Sequence, residues 1–474
     1  MRVYLIGVCG TAMATLAAML AERGHAVSGS DANVYPPMSD FLATRGIPCL
    51  DGFDAAHITS DIDVVVIGNA VSRGNPEVEA VLDRRLRYRS LPEMVRETFL
   101  WERDPVVIAG THGKTTTSSL VSWVLADGGR DPSFLIGGVA ANFSSSYRLG
   151  QGREFVIEGD EYDSAFFDKS AKFLKYLPRV AVVGNLEFDH ADIYADFAAI
   201  QLAVRRFVRL LPRGGRLLLG ADSAAACALS DEAPCPVATF GLASGADWRA
   251  SDVVSRPDGT RFVVEHLGVR VGEVDVPLVG DFNVRNVLAA IAVAQGVGLD
   301  MDTVAASLTR FQGVKRRLEL RGRARGVAVY DDFAHHPTAV RETLAGVRAA
   351  FPTQRIWALF EPRSATSCRR VFQSDFAAAF QPADEVIIGQ VYRSSLPPDE
   401  RLSESELVEA IGLTGPRARH VPDVEDIVRM VATEAGDGDL VVVMSNGAFG
   451  GIHGRLLDAL ADEILPGTSL TLGD

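Results

Sequence analysis

Residues 110–117 read Gly-Thr-His-Gly-Lys-Thr-Thr-Thr, directly behind the apolar run Val106–Ala109 and directly ahead of the helical stretch Ser118–Leu125. A glycine turn of this kind constrains the chain to a parallel α/β unit, because its amides must lie at a helix N-terminus outside the carboxyl end of a buried strand. Successive N–H groups of the loop can then surround phosphate oxygens, with Lys114 reaching the transferred phosphate and Thr115 placed for Mg2+. The general pattern has a glycine where Ile108 stands, so this is a shortened variant. Gly110, Thr111, His112, Gly113, Lys114, Thr115 and Thr116 thus make a nucleoside triphosphate site. The loop does not say which reaction the triphosphate drives.

The same strand-then-helix grammar recurs along the 474 residues, enough for about three domains at roughly 150 residues each. One segment begins at Val3–Gly7 and continues through Ala26–Ser30 and Val64–Gly68 to a charged helical stretch ending near Trp101. Asp104-Pro105 marks a break. A second segment runs through Val106–Ala109, Phe155–Glu158, Val180–Gly184 and Arg216–Gly220. Alternation from Arg261 to Val276 then predicts antiparallel strands, followed by helices at Asn283–Gln295 and Met301–Arg310. The third opens after Lys315-Arg316-Arg317, with strands at Val327–Tyr330, Ile356–Phe360, Glu385–Gly389 and Leu440–Met444. The expected architecture is α/β in three domains, at 1–103, at 104–314 around the P-loop and at 315–474. In open parallel sheets ligands sit outside the carboxyl ends of strands, so three such edges can converge on one multi-substrate cleft.

Charge narrows the partners. Lys and Arg total 47 against 61 Asp and Glu, a net charge of −14, which argues against nucleic acid or an anionic membrane surface. Lysine occurs only at 114, 169, 172, 175 and 315, so chemistry that needs a lysine has few candidates. Cys9, Cys49, Cys227, Cys235 and Cys368 are odd in number and scattered, without C-x-x-C spacing. This pattern disfavours a disulfide framework or a cysteine zinc site and suits a reducing cytoplasm. The uncharged run 3–21 is broken by Gly7, Gly10, Thr11 and Thr15, which fits a strand, turn and helix better than a membrane span.

Two acidic clusters follow strands of the second segment: Glu158-Gly-Asp-Glu-Tyr-Asp163 and Asn185-Leu-Glu-Phe-Asp-His190. Mg2+ takes hard oxygen ligands beside substrate phosphates, so a carboxylate at the strand end nearest the loop is expected, Glu158 first and Asp160 or Glu161 as fallback. His190 sits among carboxylates on a loop beyond a strand, where a functional role competes with a structural one. Gly7-Val-Cys-Gly10 with Asp31 resembles a weak dinucleotide fingerprint without the G-x-G-x-x-G spacing; a mononucleotide or its diphosphate can use the same helix N-terminus. The third segment offers Tyr330-Asp-Asp-Phe-Ala-His-His-Pro337, Glu361-Pro-Arg-Ser364 and Ser445–His453. The paired histidines can equally be a packed turn, and Arg363 either a surface arginine or a planar fork for a carboxylate.

Taken together, Gly110–Thr117, Glu158–Asp163, Asn185–Asp192, Asn283–Asn286 and Asp331–Pro337 resemble the Mur ligases of bacterial cell-wall synthesis, in order and over nearly the whole chain. Within that family, Ser30–Pro37, Ala165–Lys169, Glu361–Ser364 and Ser445–His453 are most similar to members that join a recycled murein tripeptide to UDP-N-acetylmuramate. The resemblance implies a Rossmann-like N-terminal domain, a central P-loop ATPase domain and a Rossmann-like C-terminal domain, in a cytoplasmic ATP-dependent amide ligase, a monomer or weak homodimer, whose substrates are UDP-N-acetylmuramate and L-alanyl-γ-D-glutamyl-meso-diaminopimelate. It implies two Mg2+ ions, one on Thr115 and Glu158 and one on His190. It implies adenine at Asn286, with ATP held across the domain joint by Arg317 and Asp331. The UDP-sugar would meet Gly7, Gly10, Thr11, Asp31 and Asn69, and the peptide Arg363, Ser364 and Asn446. Lys114, His190, Asp331 and His335 would be catalytic, with His335 or Asp331 orienting or deprotonating the amine.

One departure is informative. Several sister ligases carry a carbamylated lysine on the helix after the second-metal histidine, whereas this chain has no lysine between 175 and 315 and offers Arg205 and Arg206 instead. That absence favours the muramate-using branch, which leaves UDP-N-acetylmuramate–L-alanine ligation as the nearest alternative. A folylpolyglutamate-type ligase would leave the first segment without a purpose. A nucleotide-dependent switch would need neither the acidic cluster nor the separate glycine-turn domain, and a dehydrogenase would need nicotinamide.

Overall fold

The computed structural model describes residues 1–189, 193–392 and 396–461; His190, together with Ala191 and Asp192, lies outside them. Three sheets carry the chain. In the first, strands Cys49–Asp51, Ala26–Asp31, Arg2–Ile6, Val64–Ile67 and Tyr88–Ser90 lie side by side, every pair parallel. The order reverses between Arg2–Ile6 and Val64–Ile67, which opens a crevice at their carboxyl ends.

The central sheet has ten strands. Asp104–Ala109, the strand that feeds the glycine loop, lies between Glu154–Glu158 and Val180–Val183, parallel to both. Val106–Ala109, Phe155–Ile157 and Val180–Val183 within them are apolar because helices cover both faces. The expected antiparallel addition is present as Gly259–His266 against Val269–Val276, extended by Trp248–Arg256. The third sheet has six strands: Glu319–Ala324 antiparallel to Val327–Asp332, then Leu440–Met444, Ile356–Phe360, Glu385–Ile388 and Arg417–His420 in parallel array. Among the described residues, no helix is long and apolar enough to cross a membrane.

Two joints hold the three units, and they are built differently. Helix Thr11–Glu22 and the segment 91–100 share one core with the central unit, in which Leu16, Met19, Phe99, Phe155, Phe173 and Phe207 are buried together. Phe99 and Phe155 approach to 6.5 Å between ring centroids, and Tyr88 meets Phe167 edge-on at 4.9 Å. The other joint is mainly polar, with a local apolar contact where Val279 enters the third unit's core and Phe188 stacks on Phe372 at 6.3 Å. Arg285 pairs with Glu342, Thr338 Oγ1 donates to Glu187 Oε2 at 2.7 Å, and Thr366 Oγ1 donates to Asp189 Oδ1 at 2.5 Å. The connection passes through Arg316 and Leu318, both at positive φ, where the chain turns sharply into the third sheet.

Cysteines scattered in sequence are not all scattered in space: Cys9 Sγ and Cys49 Sγ lie 3.5 Å apart as free thiols.

Candidate active site

The glycine loop turns into helix Lys114–Asp127 at Gly113, whose φ of +81° no side-chain-bearing residue adopts without strain; a Cβ there would also lie 2.4 Å from Asn286 Oδ1. Asn286 is thus the floor of the loop. Its Oδ1 accepts from Thr117 Oγ1 at 3.0 Å and its Nδ2 donates to Asn283 at 3.2 Å. Two amides of the loop are already engaged, Thr111 N–H with the Asn185 carbonyl at 3.0 Å and His112 N–H with Asn185 Oδ1 at 2.8 Å. The phosphate cradle is therefore narrower than the sequence suggests and is centred on the first turn of the helix, which no side chain caps.

Lys114 Nζ donates to the carbonyls of Gly110 at 2.7 Å and Thr111 at 3.2 Å, and to Glu161 Oε1 at 2.8 Å. Burial pulls its ammonium down, but the carboxylates of Glu161, Glu158 and Asp160 outweigh it and hold the proton more firmly than usual. Glu158 Oε1 accepts from Thr115 Oγ1 at 3.0 Å and Oε2 from Gly137 N–H at 2.9 Å, while burial pushes its carboxyl up against the pull of Lys114. Of the three acidic candidates only Glu158 sits beside Thr115; Asp160 pairs with Lys172 at 2.6 Å and Glu161 with Lys114. A hydroxyl and a carboxylate at this spacing form the oxygen donor set that Mg2+ favours. Arg317 Nη2 donates to Thr115 Oγ1 at 3.1 Å, which brings a cation from beyond the second joint onto the same atoms.

These groups line a cavity of about 660 Å3 whose opposite wall comes from the third unit. Arg363, Ser364 and Asn446 are on that wall, with the Arg363 guanidinium 3.8 Å from the centre of the Tyr392 ring. Ser364 Oγ is held by Ser367 Oγ at 2.9 Å. His335 also lines the cavity, its Nδ1 2.9 Å from the Phe333 carbonyl, and burial lowers its pKa so that the ring is neutral at ordinary pH.

Between the two walls, Glu187 Oε2 is 3.2 Å from His112 Nε2 and 3.7 Å from His336 Nδ1. Burial pushes the Glu187 carboxyl up, but hydrogen bonds from His112 and Thr338 with His336 nearby overcome this and take it down to about 2. Burial takes His336 down to about 4.

Asp331 departs from expectation. It does not line the cavity, and its neighbour Asp332 does. Adjacent residues of a strand face opposite sides of the sheet. Asp331 shares its side with Val327 and Val329, under helix Ile452–Ala461, facing His453 at 3.3 Å and Arg316 and Arg321 at 3.5 Å each. Asp332 instead accepts from Leu318 N–H at 2.7 Å and Ala334 N–H at 2.8 Å at the mouth of the joint. Asp332 and Thr366 are cavity residues that sequence reasoning missed. The strand is apolar on both faces up to Tyr330, so nothing in the pattern says which aspartate turns inward, and Thr366 carries no motif.

The first unit contributes nothing to this cavity among its described residues. Gly7, Gly10, Thr11, Asp31 and Asn69 gather instead at the carboxyl edge of the first sheet. Gly7 and Gly10 bracket a turn into helix Thr11–Glu22, Asp31 Oδ2 accepts from Cys9 N–H at 2.9 Å, and Asn69 is exposed beyond Val64–Ile67. Helix Thr11–Glu22, like the Lys114–Asp127 helix, has no side-chain cap.

Comparison with known proteins follows the same division. Residues 2–100 match the model of the Mur ligase family catalytic domain, 108–294 that of the Mur ligase middle domain, and 316–447 that of the Mur ligase glutamate ligase domain. The chain is 44% identical over 471 residues to the UDP-N-acetylmuramate–L-alanyl-γ-D-glutamyl-meso-2,6-diaminoheptandioate ligase of Escherichia coli, covering 98% of this chain and 99% of that one. It is 35% identical to the UDP-N-acetylmuramate–L-alanine ligase of Salinibacter ruber, covering 94% and 92%. The crystal structure of a murein peptide ligase from Psychrobacter arcticus superposes with a TM-score of 0.71 at 37% identity, covering 98% and 99%.

Proposed function

Because the chain belongs to the Mur ligase family, we propose that it is an ATP-dependent amide ligase joining the tripeptide L-alanyl-γ-D-glutamyl-meso-diaminopimelate to UDP-N-acetylmuramate, in peptidoglycan recycling. The observation that carries the reading is the single cavity with the phosphate loop on one wall and Arg363 and Asn446 on the other. A triphosphate and a carboxylate-bearing amine substrate can meet there. The choice of tripeptide over L-alanine rests on 44% identity to a relative named for the tripeptide, against 35% to one named for L-alanine.

In this reading units 1–103, 104–314 and 315–474 hold the UDP-sugar, ATP and the peptide in turn. A carboxylate is a poor electrophile, so the γ-phosphoryl group passes first to the lactoyl carboxylate of the muramate, leaving ADP. Lys114, fixed as an ammonium, offsets the charge that accumulates between donor and acceptor oxygens. Thr115 and Glu158 suit Mg2+, which when bound supplies further charge neutralisation at the phosphates; His190, outside the described residues, is proposed as a second ligand on resemblance alone. The peptide amine then attacks the acyl carbonyl, and the tetrahedral intermediate collapses with loss of phosphate. His335, a neutral ring in the cavity, is placed to orient the amine or accept its proton. Asp332 replaces Asp331 as the aspartate at the joint. Arg363, stacked on Tyr392, presents its fork to a peptide carboxylate. Closure of the polar joint keeps water from the activated acyl group. The substrates place the enzyme in the cytoplasm, and a monomer or weak homodimer is the state to test by light scattering.

Phosphate release by purified protein tests the reading. Turnover should require UDP-N-acetylmuramate and tripeptide together; much faster turnover with L-alanine would replace the tripeptide by the nearest alternative. An oxygen-18 label in the muramate carboxylate should appear in inorganic phosphate, and its retention would exclude an acyl phosphate.

A further inference from the structure

His112, Glu187 and His336 come from three separate places: the phosphate loop, the loop after strand Val180–Val183, and the turn before helix Pro337–Ala350 of the third unit. Their donor atoms nonetheless lie within 4.8 Å of one another. A tetrahedral ion with bonds of about 2.0–2.1 Å has donor-to-donor edges of roughly 3.3 Å. The Glu187 Oε2 to His112 Nε2 and His336 Nδ1 separations, 3.2 and 3.7 Å, are already close to such edges.

The environment of His336 fixes its tautomer. Its Nε2 is 3.2 Å from the Phe188 carbonyl, and its Nδ1 accepts the Thr338 N–H at 3.3 Å. Hydrogen therefore sits on Nε2, and the Nδ1 lone pair caps the helix; a cation would take it over from the long Thr338 N–H contact. A backbone carbonyl that orients the far nitrogen is the usual second layer around a metal-bound histidine. Thr338 Oγ1 fixes the carboxylate in the same way, at 2.7 Å from Glu187 Oε2. As a ligand through Nε2, His112 would carry its hydrogen on Nδ1.

We propose that His112, Glu187 and His336 form a binding site for a d-block divalent cation, Zn2+ in the first instance, that ties the third unit to the phosphate loop. Two imidazoles select such ions over Mg2+, which prefers oxygen ligands. The site shares no residue with the Thr115 and Glu158 pair, and it stands whether or not the chain uses a tripeptide. It is complete only when the polar joint is closed, since one ligand comes from beyond it. Zn2+ at this site is a clamp on the closed state.

Titration of the full chain with Zn2+, and with Co2+ for its visible absorption, tests this in the presence of excess Mg2+. One ion should bind per chain, and Co2+ should show the intense bands of a low-coordinate site. His336→Asn preserves helix capping and should weaken binding on the order of a hundredfold, as should Glu187→Gln. Glu158→Gln should leave the affinity unchanged. Equal affinity in wild type, His336→Asn and Glu187→Gln would overturn the proposal. So would loss of binding in Glu158→Gln alone, or full displacement by Mg2+, because the ion would then occupy the phosphate-side pair.

Discussion

The two joints of this chain differ as a weld differs from a hinge. The first unit meets the central one through aromatic and aliphatic side chains in a continuous core, with Phe99, Phe155 and Phe207 all buried. The third unit meets it mainly through Arg285–Glu342, Thr338–Glu187 and Thr366–Asp189, around a cavity, with a local apolar contact at Val279 and Phe188. Apolar burial gains nothing from opening, whereas ion pairs and hydrogen bonds exchange readily for water. A multi-substrate ligase needs this asymmetry. On the proposed reading, one substrate domain stays docked while the other opens to admit ATP and peptide and closes to exclude water.

The comparison can be broken at several points. The largest effect expected is from Lys114→Ala, which should lower ligation by about a thousandfold or more in a phosphate-release assay. UDP-N-acetylmuramate binding, measured calorimetrically, should survive, because the first unit's glycine turn does not line the cavity. Loss of both would mean that the units are coupled more tightly than the joints suggest. Phe155→Ala should cost about 3–5 kcal/mol in denaturant unfolding by opening a void in the shared core. Arg285→Ala at the polar joint should cost about 1 kcal/mol or less in the same measurement. Similar losses at the two positions would remove the distinction.

Thr338→Val keeps the shape but deletes the hydroxyl that Glu187 accepts. Roughly tenfold lower kcat/KM with a melting temperature that hardly moves is the expected outcome, since the lost bond acts on closure. The smallest effect concerns Asp331. Burial raises its carboxyl, but His453, Arg316 and Arg321 hold it below its ordinary value of 3.8. It therefore contributes stability that is present above that value and is lost as pH falls through its lower folded value. Asp331→Asn should flatten this acid limb in a melting series below about pH 4, while activity near neutrality changes less than in Thr338→Val.

How much of this was legible beforehand depended on whether a feature is local in the chain. The phosphate loop, the carboxylate beside Thr115 and the strands read from Val3, Val106 and Val327, the first two beginning one and two residues earlier, follow from short patterns: glycine at a helix start, acid after an apolar run. The edge strands Ser145–Arg148 and Arg417–His420 were not read, because edge positions are polar and carry no strong alternation; the interior strand Trp248–Arg256 was not read either, its register being interrupted between Ser251 and Val254. Asp332 rather than Asp331 faces the cavity through a one-residue choice of sheet face, which depends on which helices cover each side. Cys9 with Cys49, and Glu187 with His112 and His336, meet only when distant loops converge. Sequence spacing holds no trace of such encounters.

Lys114 poses a hazard peculiar to a ligase that makes an activated acyl group: an amine beside an acyl phosphate is itself a candidate to be acylated. It is the only lysine on the wall of the cavity among the described residues, and its three protons are given to Gly110, Thr111 and Glu161. With its proton held by the surrounding carboxylates, it has no lone pair to offer. The other cations on the wall, Arg285, Arg317 and Arg363, are guanidinium groups that do not compete as nucleophiles. The enzyme's scarcity of lysine is in this light a form of chemical immunity: the one amine free to take the acyl group is the substrate's own.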